Sequence, residues 1–245
     1  MILHFCALSE KNDRDVNEDS FCADRIGDYY VFAIADGLGG HAAGEVASAL
    51  AIECLKNAMK FCDGDLKETL CGAVYNACDQ ILAHAKKFPE KEGMATTLIA
   101  AVVDNSLSCT LVNVGDCRAH CITANDVKTT KDHSYVNQLA DRGEVEPEDI
   151  WQHPLSMVLT QALGDPDIDV IPDFYEFDLH DTFLLISSDG LHDFVRKERI
   201  QELVLEKGTD PEKTCVALIH EALGNGSDDN ITVLLVHEGT QILKR

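Results

Sequence analysis

The feature that most constrains the fold of this chain is a set of short apolar segments that each adjoin an aspartate. The segment YYVFAIA ends at Asp36, LVNVG ends at Asp116, FLLISS ends at Asp189, and ITVLLV begins just after Asp229. Short apolar runs bounded by Asp and Gly are typical of buried β-strands. Because strand ends lie beside strand starts in an antiparallel sheet, we expect the four carboxylates to meet at one sheet edge. The alternative is that these residues only form turns, where Asp and Gly are common.

Four carboxylates gathered in this way would need compensation. Two unit charges about 5 Å apart, at an effective dielectric constant of about 20, repel each other by roughly 3 kcal/mol. Over all pairs the repulsion is on the order of 10–20 kcal/mol, which exceeds the usual net stability of about 5–15 kcal/mol for a domain. The cluster must therefore be protonated or bind cations. Ligands that are all oxygen favour Mg²⁺ or Mn²⁺ over zinc.

The apolar pattern along the rest of the chain groups strands in hairpins and helices in blocks. This arrangement predicts an α+β fold in which largely antiparallel sheets pack as a layered sandwich with helices outside. Since no low-complexity linker or repeat is present, we expect residues 1–245 to form one domain, with the polar segment 132–165 as a surface insert that forms a mobile flap. The expected helices cover 43–61, 66–87, 197–206 and 211–223, and the expected strands cover 29–35, 96–103, 107–114, 118–123, 183–187 and 231–236.

Composition excludes several classes of partner. The chain has 20 Lys and Arg against 43 Asp and Glu, which gives a formal net charge of −23. Such a surface repels phosphate backbones and anionic lipids, so we expect no nucleic-acid and no membrane partner. The sequence has no apolar run of about 18 residues, no basic start of a secretory signal and no Cys-x-x-Cys pair. We therefore expect a cytoplasmic protein with reduced thiols, and we expect it to be a monomer.

The aspartates also lie within motifs that follow one another in a known order. With these motifs the chain resembles the metal-dependent protein phosphatases of type 2C, and its short length is most similar to the bacterial members. The resemblance runs along nearly the whole chain. Its motifs are RDVNED at 14–19, DGLGGH at 36–41, GMATT at 93–97, VGDCR at 114–118, HP through LTQALG at 153–164, SDGL at 188–191 and DNIT at 229–232.

This resemblance implies a four-layer α-β-β-α sandwich with two Mn²⁺ or Mg²⁺ ions bound at one end. It implies that Asp36 bridges both ions and that the carbonyl of Gly37 binds one of them. Asp189 and Asp229 would hold the other ion, and Glu18 would bind through a water molecule.

The resemblance implies further roles near the two ions. Asp116, together with Asp189, would form a weaker third metal site. Arg14 would bind the substrate phosphate, and its planar fork suits two phosphate oxygens. Asp19 would orient the attacking water. The expected catalytic residues are therefore Asp36, Asp189, Arg14 and Asp19.

The activity implied is that of a serine/threonine phosphoprotein phosphatase that opposes a Ser/Thr kinase. Water activated by two divalent ions attacks the phosphate monoester directly, without a phosphoenzyme. The chain departs from many eukaryotic members at Leu38, where they carry a histidine that serves as the general acid. Leu38 cannot donate a proton. The nearby His41 is either the donor or a structural hydrogen-bonding residue, and metal-bound water near Asp116 is the other candidate for the donor.

Two other interpretations remain open from the sequence. The chain can be a catalytically weak or dead pseudophosphatase that acts as a metal- or partner-binding regulatory module. It can also be a phosphatase with an aspartyl nucleophile, because Asp165 and Asp167 form a D-x-D motif, although no apolar strand precedes them. Metal-dependent turnover distinguishes the first alternative, and trapping of a phosphoenzyme distinguishes the second.

Overall fold

The structure, a computed structural model, describes residues 2–38 and 43–239. Within these ranges the strands are β1 Leu3–Glu10, β2 Ser20–Ile26, β3 Tyr29–Ala35, β4 Gly37–Leu38, β5 Ala95–Thr96, β6 Leu98–Val103, β7 Ser108–Val114, β8 Arg118–Ile122, β9 Val127–Thr129, β10 Asp173–Asp178, β11 Phe183–Ser187 and β12 Ile231–Glu238. The helices are α1 Gly44–Lys60, α2 Leu66–Lys87, α3 Tyr135–Asp141, α4 Asp189–His192, α5 Lys197–Lys207 and α6 Pro211–Gly224.

Ten of the strands form two five-stranded sheets. One sheet, here called the β3 sheet, has the order β10-β7-β6-β3-β2, and the other, the β12 sheet, has the order β1-β12-β11-β8-β9. All neighbouring strands in both sheets are antiparallel. The short strands β4 and β5 pair with each other outside the two sheets. Strand β4 begins two positions after the end of β3.

The two sheets and their helices stack in four layers, as expected. One apolar core, with Val31 and Leu55, lies between the β3 sheet and the helices α1 and α2. A second core, with Phe32 and Leu234, lies between the two sheets. A third, with Leu235, lies between the β12 sheet and the helices α5 and α6. Successive residues of a strand face opposite sides, so a strand covered on both faces is apolar throughout, as β3 is.

The predicted elements are largely confirmed, but the strand predicted over 96–103 is wrong as a single element. It is interrupted at Thr97, because both polar groups of Thr97 turn towards Asp36: its amide donates to the Asp36 carbonyl at 2.9 Å, and its hydroxyl bonds the Asp36 amide at 3.0 Å. The sequence analysis also missed β1, β2, β9 and β10. These four strands are partly exposed and lack continuous apolar runs, because all four lie at sheet edges and pair on one side only.

Residues 132–165, predicted as a surface insert, contain α3 and a short 3-10 helix at Pro147–Gln152. An antiparallel bridge between Ser134 and Leu159 joins the two ends of the segment. Its description as a mobile flap stays a prediction. Within residues 2–38 and 43–239, none of the helices combines the length and apolar character needed to cross a membrane.

Candidate metal centre and active site

A pocket with a cavity of about 190 Å³ brings together most of the residues predicted for the site. It differs from the expectation in one respect: its aspartates come from strands of both sheets rather than from one sheet edge. Asp36 and Asp116 follow strands of the β3 sheet, whereas Asp189 and Asp229 adjoin strands of the β12 sheet. The pocket is lined by Arg14, Glu18, Asp36, Gly37, Leu38, Asp116, Met157, Leu159, Asp189, Asp229 and Asn230.

The main chain around Asp36 is held tightly. The main chain of Asp36 makes two hydrogen bonds with Thr97, and its carbonyl also accepts a hydrogen bond from the Thr96 hydroxyl at 2.8 Å. The amide of Gly37 donates to the carbonyl of Glu18 at 3.1 Å. A Cβ at position 37 would collide with the main chain of Gly44, so only glycine permits α1 to begin this close to the pocket. The local sequence therefore places the Asp36 carboxylate and the Gly37 main chain in the pocket wall.

Asp189 and Asp229 are brought together by close packing of two main-chain segments. Asp189 is the first residue of α4, directly after β11, and Asp229 lies two residues before β12, which pairs with β11. A Cβ at Gly190 would overlap the carbonyl of Asn230. Glycine at position 190 thus lets the start of α4 lie against the start of β12, with both carboxylates at the pocket.

The loop that carries Arg14 and Glu18 is anchored by Asn230, whose role the sequence analysis missed. The side-chain oxygen of Asn230 accepts a hydrogen bond from the Glu18 amide at 2.7 Å. Its amide nitrogen donates to the carbonyls of Lys11 at 2.9 Å and Val16 at 3.1 Å. The motif DNIT contains this residue, but only the folded structure shows that its side chain bonds a loop more than 200 positions earlier in the chain.

Arg14 occupies the mouth of the pocket, where its side chain is 49% exposed. Its Nη2 forms an ion pair with Oδ2 of Asp229 at 2.8 Å, and its Nε donates to the carbonyl of Asp228 at 2.9 Å. The structure therefore places the predicted phosphate-binding arginine against a predicted metal ligand.

Asp19 is not among the residues that line the pocket. It is buried behind it, where its Oδ2 accepts hydrogen bonds from Ser188 at 2.9 Å and Thr232 at 2.6 Å. Its Oδ1 is buried and has no hydrogen-bond partner among the residues that the structure describes. Burial raises the pKa of Asp19 to about 6, and the nearby Asp229 adds to the increase. This position lets Asp19 fix the segments that carry Asp189 and Asp229, because Ser188 and Thr232 flank those residues.

The carboxylates of the pocket raise one another's pKa values. Burial, followed by the charges of Asp19 and Asp189, raises the pKa of Asp36 well above its usual value. Burial and the charges of Asp116 and Asp229 do the same for Asp189. Each group would be more stable neutral or beside a positive charge.

The pKa of Asp116 is raised to about 7, mainly by burial and then by the charges of Asp132 and Asp193. Asp193 is a second residue that the sequence analysis missed. It lies four positions after Asp189, one helical turn further along, and burial also raises its pKa. That spacing was a usable signal, because residues four apart on a helix share one face.

The donor set of this pocket fits hard divalent cations. It offers carboxylate oxygens and main-chain carbonyls, and within residues 2–38 and 43–239 the buried Oδ1 of Asp189 has no hydrogen-bond partner. Across the part of the chain that the structure describes, no three Asp, Glu, His or Cys side chains stand close enough to enclose an ion as they are. The carboxylates instead face one another around the cavity, and Asp229 is paired with Arg14.

Leu38 lines the pocket, and its aliphatic side chain has no proton to donate. His41 lies outside the described residues, as do Gly39 and Gly40 of the same motif.

The alternative D-x-D motif lies elsewhere in the fold. The side chain of Asp165 accepts a hydrogen bond from the amide of Asp167 at 2.9 Å, which is a turn arrangement. Neither residue lines the acidic pocket.

Comparison with known proteins gives consistent matches. The family model described as protein phosphatase 2C matches residues 9–216. The serine/threonine phosphatase Stp of Listeria innocua is 37% identical over 218 residues, covering 84% of this chain and 83% of that protein. The serine/threonine protein phosphatase PstP of Mycobacterium tuberculosis is 35% identical over 239 residues, covering 96% of this chain and 45% of that protein.

Solved structures agree with the sequence matches. The crystal structure of the serine/threonine phosphatase Stp1 from Staphylococcus aureus superposes with a TM-score of 0.90 at 32% identity, covering 98% of this chain and 96% of that one. The catalytic domain of PstP in complex with two manganese ions superposes with a TM-score of 0.82 at 33% identity, covering 96% and 97%. The four-layer fold, the acidic pocket between the ends of both sheets and these matches confirm the resemblance: the chain belongs to the protein phosphatase 2C family.

Proposed function

We propose that the acidic pocket is the catalytic centre through which this chain hydrolyses phosphoserine and phosphothreonine in proteins, with Mn²⁺ or Mg²⁺ as its cofactor. The observation that carries the proposal is the meeting of Asp36, Asp189 and Asp229 in one pocket, where burial and mutual repulsion raise the pKa values of Asp36 and Asp189. These carboxylates, with the Gly37 carbonyl, would hold two ions. Glu18 lines the same pocket and would bind through a water molecule.

Asp116 would complete a weaker third site with Asp189. Both residues line the pocket, and the charge of Asp116 contributes to the raised pKa of Asp189. Burial raises the pKa of Asp116 to about 7, so a proton or a cation is favoured at this carboxylate near neutral pH.

When bound, paired divalent ions supply Lewis-acid stabilisation of the phosphoryl oxygens and activation of the attacking water. The protein's own residues supply positioning. Arg14 lies at the mouth of the pocket, where its guanidinium can donate two parallel hydrogen bonds to a phosphate. Asp19 acts from behind, by holding the hydroxyls of Ser188 and Thr232 beside the carboxylates of the pocket.

The substrates are phosphoproteins. The proposal includes a serine/threonine kinase as the opposing enzyme, because phosphoserine and phosphothreonine must be formed before they can be hydrolysed. Support comes from the names of the relatives, which are serine/threonine phosphatases. That the chain acts as a monomer in the cytoplasm stays a prediction.

The test is an assay of purified protein with a phosphothreonine peptide in Mn²⁺, in Mg²⁺ and in excess chelator. We expect phosphate release with either metal and a loss of at least about 100-fold with chelator, since each tenfold corresponds to about 1.4 kcal/mol of transition-state stabilisation. A pseudophosphatase would release no phosphate in any condition. Turnover that survives chelation, or a trapped phosphoenzyme, would contradict direct attack by water at a metal centre.

Arg14→Ala is expected to raise KM for a phosphopeptide by about 10- to 100-fold, with a smaller change in kcat, because a hydrogen bond to a charged group contributes roughly 1.5–3 kcal/mol. Steady-state kinetics at saturating Mn²⁺ measure both constants. Arg142→Ala is the matched control, since Arg142 is an exposed arginine outside the pocket that pairs with Glu144. A fall in kcat with unchanged KM would show that Arg14 does not bind the ground-state phosphate.

A further inference from the structure

His133 lies at the start of the segment 132–165 and contacts the turn that carries Asp116. Its main-chain amide donates to the carbonyl of Gly115 at 2.9 Å. Its ring nitrogen Nδ1 accepts a hydrogen bond from the amide of Gly115 at 3.2 Å. Both polar groups of the residue before Asp116 are therefore bonded to one histidine, once through its main chain and once through its side chain.

The bond from the Gly115 amide determines which ring nitrogen of His133 carries a proton. An amide nitrogen only donates, so Nδ1 presents a lone pair and the ring proton lies on Nε2. Nε2 is 3.1 Å from Oδ2 of Asp173 at the start of β10, and this carboxylate accepts the second hydrogen bond of the ring. The His133 side chain is only 11% exposed, whereas that of Asp173 is 49% exposed. The ring is thus oriented by Asp173 at the surface and by Gly115 in the interior.

Gly115 is confined on its other side by Thr97. Its φ of +106° lies in the region that favours glycine, and a Cβ at this position would lie 2.6 Å from the Cβ of Thr97. The Thr97 hydroxyl accepts a hydrogen bond from the Asp36 amide at 3.0 Å. The turn before Asp116 is therefore packed between the residue that supports Asp36 and the ring of His133. A main-chain shift at Gly115 would move the Asp116 carboxylate relative to Asp36.

The main chain of His133 also holds the far end of the segment 132–165. Its carbonyl accepts a hydrogen bond from the amide of Thr160 at 2.8 Å. The neighbouring Ser134 forms an antiparallel bridge with Leu159, which lines the catalytic pocket. His133 therefore connects the turn that carries Asp116 with the wall of the pocket that the segment provides.

We propose that His133 is a positioning residue for the third metal site, and that its ring holds the Asp116 carboxylate at the pocket through the amide of Gly115. The inference rests on the proposed metal-dependent function, because Asp116 is assigned its ligand role there. His133 is not among the described residues that line the pocket, so it acts through the turn rather than as a ligand.

The side chain of His133 is the part of the residue that can be tested separately. Removing the ring leaves the Gly115 amide, which is buried, without this acceptor. A buried amide without a partner is unfavourable, so the turn is expected to move towards water or another acceptor. The bonds from the His133 main chain to Gly115 and Thr160 do not need the ring. His133→Ala is therefore expected to displace Asp116 while the segment stays folded.

The experiment measures Mn²⁺ binding to the full chain without substrate, by electron paramagnetic resonance of the free ion. We expect two tightly bound ions and a third that binds more weakly. In His133→Ala the Kd of the weak ion is expected to rise by about 3- to 10-fold, the effect of one hydrogen bond, while the Kd values of the tight ions are unchanged. Asp116→Asn is expected to lose the weak ion.

Two further variants separate positioning from a general loss of structure. His133→Asn keeps an oxygen at the place of Nδ1, so it can accept from Gly115 and is expected to restore the weak Kd to within about 2-fold of the wild type. His180→Ala is the matched control, since His180 is an exposed histidine outside the pocket that also pairs with an aspartate. Circular dichroism confirms the folding of each variant.

A double variant tests whether His133 acts through Asp116. Because the ring has no other route to the metal centre in this proposal, adding His133→Ala to Asp116→Asn is expected to cause no further loss of Mn²⁺-dependent turnover. A residue that merely supports the fold would lower turnover again in that background.

The results that would overturn the proposal are specific. They are an unchanged weak Kd in folded His133→Ala, failure of His133→Asn to restore binding, and a further loss of turnover in the double variant. A wild-type protein that is active with Mn²⁺ but binds no weak third ion would also refute this inference, and would leave the proposed function intact. Absence of Mn²⁺-dependent turnover in the wild type would instead refute the proposed function itself.

Discussion

Replacing Asp36 by asparagine is expected to lower kcat by at least about 10³-fold, because a lost metal contact removes several kcal/mol of transition-state stabilisation. Asparagine has the same shape, and the hydrogen bonds that hold this position involve the Asp36 main chain with Thr96 and Thr97. The change therefore removes the charge and leaves the local backbone in place. Asp189→Asn is expected to behave in the same way, since Asp189 faces Asp36 across the pocket.

The measurement is single-turnover and steady-state hydrolysis of a phosphothreonine peptide at several Mn²⁺ concentrations. Asp28→Asn is the matched control, because Asp28 is an exposed aspartate in the turn between β2 and β3. Wild-type turnover in Asp36→Asn at saturating Mn²⁺ would remove this residue from the metal centre. Loss of turnover with equal severity in Asp28→Asn would show that the effect is not specific to the pocket.

Divalent metal is expected to raise the Tm of the wild-type protein by about 5–10 °C at a concentration of 100 Kd, from a binding contribution of about 2.7 kcal/mol. The physical reason is that the metal-free pocket gathers carboxylates whose ionised forms repel one another. Asp36→Asn reduces that repulsion. In excess chelator this variant is expected to be more stable than the wild type, although it is inactive.

The metal-induced shift in Tm is also expected to grow as the pH rises from 5 to 7.5. In the metal-free protein the pKa of Asp19 is about 6 and that of Asp116 about 7, both above the ordinary value of 3.8. Between the ordinary pKa of 3.8 and the raised pKa of each group, the folded state holds a proton that the unfolded state has released. The metal-free protein therefore loses stability as the pH rises through this window. Metal binding requires the ionised carboxylates, and it therefore strengthens over the same window.

Buried histidines act in the opposite direction on the overall stability. The pKa of His120 is about 3, so below the ordinary value of 6.5 the unfolded state binds a proton that the folded state excludes. The quantity to compare is therefore the difference in Tm between protein in Mn²⁺ and protein in chelator, measured by scanning calorimetry at each pH. A difference that shrinks as the pH rises would contradict the assignment of these carboxylates to a metal centre.

Local sequence patterns were sufficient to predict the strands that are covered by other layers on both faces. The strands β3, β11 and β12 are buried between layers, so their apolar runs could be recognised in the sequence. The long helices α1 and α2 were equally clear from their apolar spacing. Strands such as β2 and β10 at the sheet edges have mixed composition, because one side of each is open to solvent or to a partly exposed neighbour.

The residues of the site can likewise be divided into those that local sequence identifies and those that depend on distant contacts. Asp36, Asp116, Asp189 and Asp229 stand at strand ends, and strand ends can be found from local composition. The anchoring of the Arg14 loop by Asn230 could not be found in this way, because it depends on hydrogen bonds between residues at opposite ends of the chain. The position of Asp19 behind the pocket, rather than in its wall, depends likewise on distant hydroxyls.

Hydrophobic periodicity and turn chemistry act over a few residues, and for this reason the amino-acid order alone specified the layers, the strand ends and the acidic residues beside them. Which carboxylates face one another, and from which of the two sheets they come, followed from the stacking of the β3 sheet on the β12 sheet. Burial and electrostatic coupling depend on distances in space, and those distances exist only once the sheets and helices have packed.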